Sequence, residues 1–438
     1  MRLRGAGPAL LGVALLLTAC GSDDADDPAA VAPTAEEEDR DDDHEHEDDH
    51  DHEDESGETL GATEVDAPVT RLLVADGEAG EVAVVEPGTG EVIEVIDIPA
   101  PEMYPTMLAT TEGDRYGFAV MPDRDLAQAI DVGVWSVDHG DHFHYYVAAP
   151  AQLAEYPGGG PSHVVTHSGQ TAIFFDDDGE FQVLSAADIA QGAEGTVIAT
   201  DAPHHGVAVP WGEDRFIASA YGDTDPDDTT LPPEVVVQDA DGEVVESGFP
   251  ECPGLHGEVA LGDTVAFACA DGIVVLEEHG DHFDGHKLEY PDDDGRSGTL
   301  RTASGLDVLV GNYSAEAMLV IDPAEHEVTL VDLPDAFSTF AVSAYDDGRL
   351  LGMSADGTLH AVALDSGEIT SVASVTEAYD EDAEWSDPTP QVAVGGGALV
   401  YVTDPAAGQV HEVDLDGEAV TQSLDVGGTP FHVAAFGG

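Results

Sequence analysis

Basic residues are nearly absent from this chain: eleven Lys and Arg stand against 92 Asp and Glu, a formal net charge of −81 over 438 residues. A folded surface of that sign repels polyanions, which excludes nucleic acid and anionic lipid headgroups as its ligands and favours cations. Adaptation to high salt produces the same general acidity. It does not account for where the histidines fall. Cysteine is equally scarce, with Cys20, Cys252 and Cys269 only, which excludes a disulfide-dense scaffold. Three tryptophans without a repeated docking motif argue against a quinone-dependent dehydrogenase. No Ser-His-Asp or phosphate-loop motif is legible, and no catalytic residue is assigned. Long apolar runs are missing too: Leu10–Leu17 is too short for a stable membrane span, and nothing later exceeds it.

That short run has its own meaning. Met1-Arg-Leu-Arg4 supplies a positive leader, and Leu17-Thr-Ala-Cys20 reads as a lipobox. Residues 1–20 are therefore expected to be a lipoprotein signal peptide, with Cys20 carrying the lipid at the outer face of the cell membrane. An ordinary secretory signal is the alternative. Between Gly21 and Glu58 the chain holds twenty acidic residues and hardly any apolar ones, too little to bury a core, so 21–64 is expected to be a disordered tether. In an exported chain Cys252 and Cys269, seventeen positions apart, are expected to form a disulfide. A cysteine zinc site is the rival.

What the chain does have is histidine in metal-ligand spacing. His44, His46, His50 and His52 lie in the tether. His139-Gly-Asp141-His142-Phe-His144 and His279-Gly-Asp281-His282, followed by His286, share the phrase His-Gly-Asp-His-Phe. Imidazole and carboxylate this close suit a divalent transition metal, Zn2+ first among them. For 139–144 and 279–286 the competing reading is a solvated acidic loop, and for the tether an incidental spacer.

From residue 65 to 438 the chain shows β-branched runs broken by Gly, Asp and Pro, such as Arg71-Leu-Leu-Val-Ala75 and Glu91-Val-Ile-Glu-Val-Ile96. Many short strands over roughly 370 residues of uniform texture imply an all-β fold, and the length favours a β-propeller. Ser162-His163-Val-Val, His204-His205-Gly-Val, Leu255-His256-Gly-Glu-Val and Phe431-His432-Val-Ala open what read as innermost strands. Further starts near Thr106, Arg301, Ser338 and Gln391 make eight four-stranded blades, with seven the alternative. The strand Phe431–Phe436 is expected to join the first three, 71–96, and so close the ring. His163, His205, His256 and His432 then converge on the channel, while 139–144 and 279–286 sit on third-to-fourth hairpins at the opposite face. Strand-capping polar residues are the alternative for the channel set.

With His139-Gly-Asp-His-Phe-His144, Val74-Ala-Asp-Gly-Glu-Ala-Gly80 and Pro203-His-His-Gly-Val207, residues 65–438 resemble the AztD-type zinc metallochaperones. The resemblance implies an exported propeller that binds zinc and hands it to the solute-binding protein of a zinc ABC importer. A monomer that touches the membrane only through Cys20 is expected. The lipobox and the extreme acidity depart from a freely soluble carrier. Two rival functions stand beside it: a metal-dependent, lactonase-like hydrolase, and a non-catalytic surface scaffold.

Overall fold

The computed structural model describes residues 61–437 apart from 112, 114, 141, 227–230 and 385. The expected signal peptide with Cys20, almost all of the expected tether with His44, His46, His50 and His52, and Asp141 lie outside them. Within the described residues, α-helix is confined to Ala186–Gln191, which starts at a capping box between Ser185 and Asp188. Apart from two single-turn 3-10 segments, Pro122–Arg124 and Tyr345–Asp347, the rest is strand, turn and loop.

Eight four-stranded antiparallel sheets follow one another along the chain. Their innermost strands are Pro430–Phe436, Met107–Thr110, Pro161–His167, Ala208–Trp211, Glu258–Leu261, Leu300–Arg301, Phe337–Ser343 and Val392–Val394. The first of these comes from the far end of the chain and pairs with Arg71–Asp76, in register Leu73 with Ala434 and Val74 with Val433. Glu81–Glu86 and Glu91–Asp97 complete that sheet. The ring closes as its strand pattern implied.

Burial follows position in the sheet. Second strands are covered on both faces, so Leu72, Leu73 and Ala75 are all solvent-free. Outermost strands such as Ala419–Asp425 alternate exposed with covered side chains. Between sheets the apolar side chains gather into eight clusters, one for each neighbouring pair. Leu73 and Val82 meet Ala119 and Met121 between the first two sheets, and Tyr401 and Val410 meet Leu72 and Val433 between the eighth and the first. The core is thus a closed ring of seams, and the molecule is a β-propeller.

One departure from the expected layout matters for the site. His139–His144 does not sit on the turn joining a blade's third and fourth strands. Val134–Asp138 and Phe143–Val147 form an additional hairpin, inserted between Leu126–Asp131 and Ala151–Pro157 of the second sheet. Strand texture alone does not distinguish an extra hairpin from a blade's own. Thr63–Val65 adds a third strand to it, straddling the 64/65 boundary drawn from composition. The hairpin is fastened at its base by buried Arg71, whose Nη1 donates to the carbonyls of Val132, Gly133 and Ala148 at 2.8, 3.0 and 2.7 Å. Gly133, at φ +74°, leaves room for this: a Cβ there would lie 2.6 Å from that same Nη1.

Replacing Arg71 by Met keeps the aliphatic stem and strands three carbonyls. The variant should be less stable by about 2–4 kcal/mol in urea unfolding. A change under about 0.5 kcal/mol would mean that water satisfies those carbonyls.

Candidate metal centres

His163, His205 and His256 come from three consecutive sheets, at or just before the start of each innermost strand, and they meet. Their ring centroids are 5.1 Å apart for His163 and His205, 5.2 Å for His205 and His256, and 6.1 Å for His163 and His256. Three imidazoles sharing one zinc ion through a nitrogen each have centroids about 5 Å apart. Every Nδ1 in the trio is engaged by an oxygen. His163 meets Glu258 Oε1 at 2.9 Å, His205 meets Asp176 Oδ2 at 2.6 Å, and His256 meets the Gly298 carbonyl at 2.8 Å. An Nδ1 that donates to such an acceptor leaves the lone pair of neutral imidazole on Nε2, the arrangement in which histidine binds a metal.

Glu258 is the residue the sequence reading passed over, although it stands two positions after His256. Its Oε1 takes the hydrogen bond from His163, and its Oε2 is buried without a hydrogen-bond partner. A buried, unpartnered carboxylate oxygen beside three imidazoles is a free anionic ligand. Burial pushes the Glu258 carboxyl up, but His163, with His256 and His205, outweighs it and holds the group below its usual range. Burial pushes His163 down, and the Glu258 carboxylate more than reverses this. His256 is pushed down by burial. Asp176 accepts from Ser162 Oγ at 2.5 Å as well as from His205, so it ties the third sheet to the fourth at the channel mouth.

The His256 segment is held twice. Its backbone N–H donates to Ala268 O, and Ala268 N–H donates back to Gly257 O, each at 2.9 Å. A disulfide joins Cys252 to Cys269, with Cα atoms 4.9 Å apart. Gly257, at φ +91°, is needed here, because a Cβ would lie 2.6 Å from the Gly298 oxygen that positions the next blade against His256.

A second cluster forms on the inserted hairpin. Centroids of His139, His142 and His144 lie 4.8–5.3 Å apart, and Nε2 of His142 and His144 face each other at 2.9 Å. His144 Nδ1 meets Glu64 Oε1 at 2.6 Å. Glu64 arrives on the strand Thr63–Val65, so the segment just after the tether helps build this site. On the true third-to-fourth hairpin of the fifth sheet, Gly272–His279 with His282–Glu289, the histidines are looser. His279 and His282 rings are 6.3 Å apart, Asp281 Oδ1 is 3.6 Å from His282, and His286 faces Glu277 at 3.9 Å.

These groups occupy opposite ends of the inner strands. Trp211, ending its strand, stacks at 4.4 Å on His167, the last residue of another inner strand, and meets Phe283 of the 279–286 hairpin at 5.3 Å. A Cβ at Gly437, just past Phe436, would touch Val134 at the base of the inserted hairpin. The channel trio lies where strands begin.

His432 does not join it. Its ring packs on Phe431 at 5.4 Å, and its electrostatic neighbour is the Arg301 cation, which opposes a metal as it opposes a proton. His204, the partner of His205 in sequence, is also structural: its two nitrogens bond Ala202 O at 2.7 Å and Ser219 Oγ at 2.8 Å. Alternation along the chain turns one of the pair into the core and the other to the channel. Asp176 and Glu258 reach their histidines across sheets, and Glu64 reaches His144 from the neighbouring strand; no spacing in the sequence announces Asp176 or Glu64.

No family profile matches the chain. It is 30% identical over 378 residues to the zinc chaperone AztD of Citrobacter koseri (strain ATCC BAA-895 / CDC 4225-83 / SGSC4696), covering 85% of this chain and 88% of that protein. Two solved structures of Citrobacter koseri AztD, one of them the apo form, are similar at TM-scores of 0.78 and 0.76 with 29% and 28% identity. Each aligns over 85% of this chain and 99% of the other.

Burial and the Arg301 cation push His432 down to about 4. In the unfolded chain it takes a proton near 6.5, in the folded one only near 4, so the unfolded state binds more protons in between. Stability is full above 6.5 and should fall as pH drops through that window. His204 and His256, also pushed down by burial, act in the same direction. Thermal melts from pH 7 to 4 should show the decline, and His432→Gln should flatten it. An unchanged slope in that variant would assign the decline to other groups.

Proposed function

The chain belongs to the AztD family of zinc chaperones, and from that premise we propose that it is an exported, lipid-anchored zinc carrier that delivers its ion to the solute-binding protein of a zinc ABC importer. In this reading zinc is cargo, and the protein is a carrier and not an enzyme. The observation that carries the proposal is the channel set: three imidazoles with every Nδ1 committed, and beside them a buried carboxylate oxygen without a partner. Three nitrogens and one oxygen supply the number and kind of donors that zinc takes and are poor for calcium or magnesium, which take oxygen.

The inserted hairpin complements it. His142 is exposed and His144 half-buried, at the end of the molecule away from the channel trio, and His144 is backed by Glu64. Imidazole and carboxylate ligands exchange one at a time, so an accessible set of this kind suits handover by direct contact. A tether at 21–64 anchored through Cys20, with His44, His46, His50 and His52 as weak capture ligands, would hold the carrier close to the importer and raise the effective concentration of each for the other. The acidic surface attracts the cation and keeps polyanions away.

Two measurements test the reading. In the full chain, Glu258→Gln keeps the shape and removes the anionic oxygen; zinc affinity of the channel set should fall about 10–100-fold in competition with a chelating dye. For transfer, zinc-loaded protein is mixed with an apo zinc-binding protein from the same cell and excess chelator. Delivery should outrun spontaneous dissociation, and replacing His142 and His144 by Ala should slow it. Interception of all the metal by the chelator at the dissociation rate would reduce the protein to a buffer.

A further inference from the structure

The third-to-fourth hairpin of the fifth sheet has a second use. Its pairing sets Val275 opposite His286, Glu277 opposite Asp284 and His279 opposite His282. Paired residues share a face, and alternate residues along each strand share it too, so Glu277, His279, His282, Asp284 and His286 all lie on one side. Their neighbours Leu276 and Phe283 turn the other way into the core. The polar side meets a residue from the next sheet: His326, on the turn between Ala317–Asp322 and Glu327–Asp332. The rings of His286 and His326 are 4.4 Å apart. Glu277 lies beneath both, with His286 Nε2 3.9 Å from Oε2 and His326 Nε2 3.7 Å from Oε1. His279 Nε2 is 3.9 Å from the same Oε2.

These separations are too long for hydrogen bonds. Two ligands bound to one zinc ion at 2.0–2.1 Å in tetrahedral geometry are about 3.3 Å apart, so an ion between them requires only small side-chain shifts. Each of the three residues offers a donor atom within 4.8 Å of the others.

His326 is unusual for another reason. The turn Asp322-Pro-Ala-Glu-His326 repeats the frame of Glu86-Pro-Gly-Thr-Gly90 and Asp404-Pro-Ala-Ala-Gly408, whose final glycines have φ +74° and +69°. His326 takes φ +54° in that place. A side chain in the left-handed region is tolerated there against the local preference, and it is the one that reaches Glu277.

We infer that Glu277, His286 and His326 form a zinc site that bridges the outer parts of the fifth and sixth sheets, separate from the channel trio and from His139–His144. Two imidazoles and a carboxylate select a divalent transition metal; the choice of zinc among these rests on the carrier reading. His279 or water completes the coordination.

The test uses the full chain with zinc chloride in excess, dialysis, and elemental analysis of zinc per chain. His326→Gly removes a ligand and puts glycine where the backbone favours it, so its metal-free melting temperature should equal or exceed that of the unaltered protein. It should bind one zinc fewer. His286→Ala should lose the same ion, and zinc should protect His286 and His326 from carbethoxylation read by peptide mass spectrometry. A full zinc complement in His326→Gly overturns the site. The comparison with His163→Ala separates the two readings. If His163→Ala loses zinc while His326→Gly keeps it all, the rim site alone falls. If His326→Gly loses one zinc while His163→Ala loses none, the rim site stands and the channel set falls.

Discussion

Every other feature of the molecule depends on the antiparallel pairing of Arg71–Asp76 with Pro430–Phe436, which joins segments about 350 positions apart, as the bond from Thr429 N–H to Asp76 shows at a separation of 353. Unpaired, these strands would expose two sheet edges and leave the seam between the eighth and first sheets open. Closed, they make each sheet a neighbour of two others. Only in a ring do the starts of successive inner strands point at a common axis, and only there do His163, His205 and His256 approach one another from three separate sheets.

Within that frame, chemistry is decided by what occupies one nitrogen of each imidazole. The channel trio has three different partners for Nδ1: a glutamate from two sheets away, an aspartate from the preceding sheet, and a backbone carbonyl. Glu258 lies on an inner strand, Asp176 on the turn directly after Gln170–Phe175 and Gly298 just before Leu300–Arg301, so the donor atoms are oriented before any ion arrives. The inserted hairpin is built otherwise. One of its histidines is oriented by Glu64, and all three are at or near the surface. A half-buried, preorganised set and a more exposed one on the opposite end differ in the way that holding an ion differs from passing it on.

Much of this was legible in the residues. The strand texture and the recurring histidine phrase located the inner strands and the closing strand, because alternation and turn composition are local properties. The channel meeting of His163, His205 and His256 followed once their strands were equivalent. His432 shares the strand position, but its electrostatic neighbour is Arg301, a cation from the sixth sheet that leaves no mark near residue 432. The inserted hairpin was taken for a blade's own, since an extra pair of strands has the same alternation. Glu258 was visible in the phrase His256-Gly-Glu258 and went unused; Asp176 and His326 were not visible at all, because each acts on a histidine supplied by another sheet, and neither was Glu64, which meets His144 from a strand 80 positions earlier in the chain.

The disulfide between Cys252 and Cys269 sets a condition on this arrangement. It closes the segment that carries His256 against the strand ending at Cys269, and a cross-link over a span of that length restrains the open chain by about 3 kcal/mol. A reduced chain lacks that restraint on one of its three channel imidazoles, and under the proposed function its grip on an ion would be weaker accordingly. In the carrier reading the oxidised chain is therefore the better zinc binder: the newly made polypeptide, its thiols still free, would compete less well for zinc than the chain folded where disulfides persist.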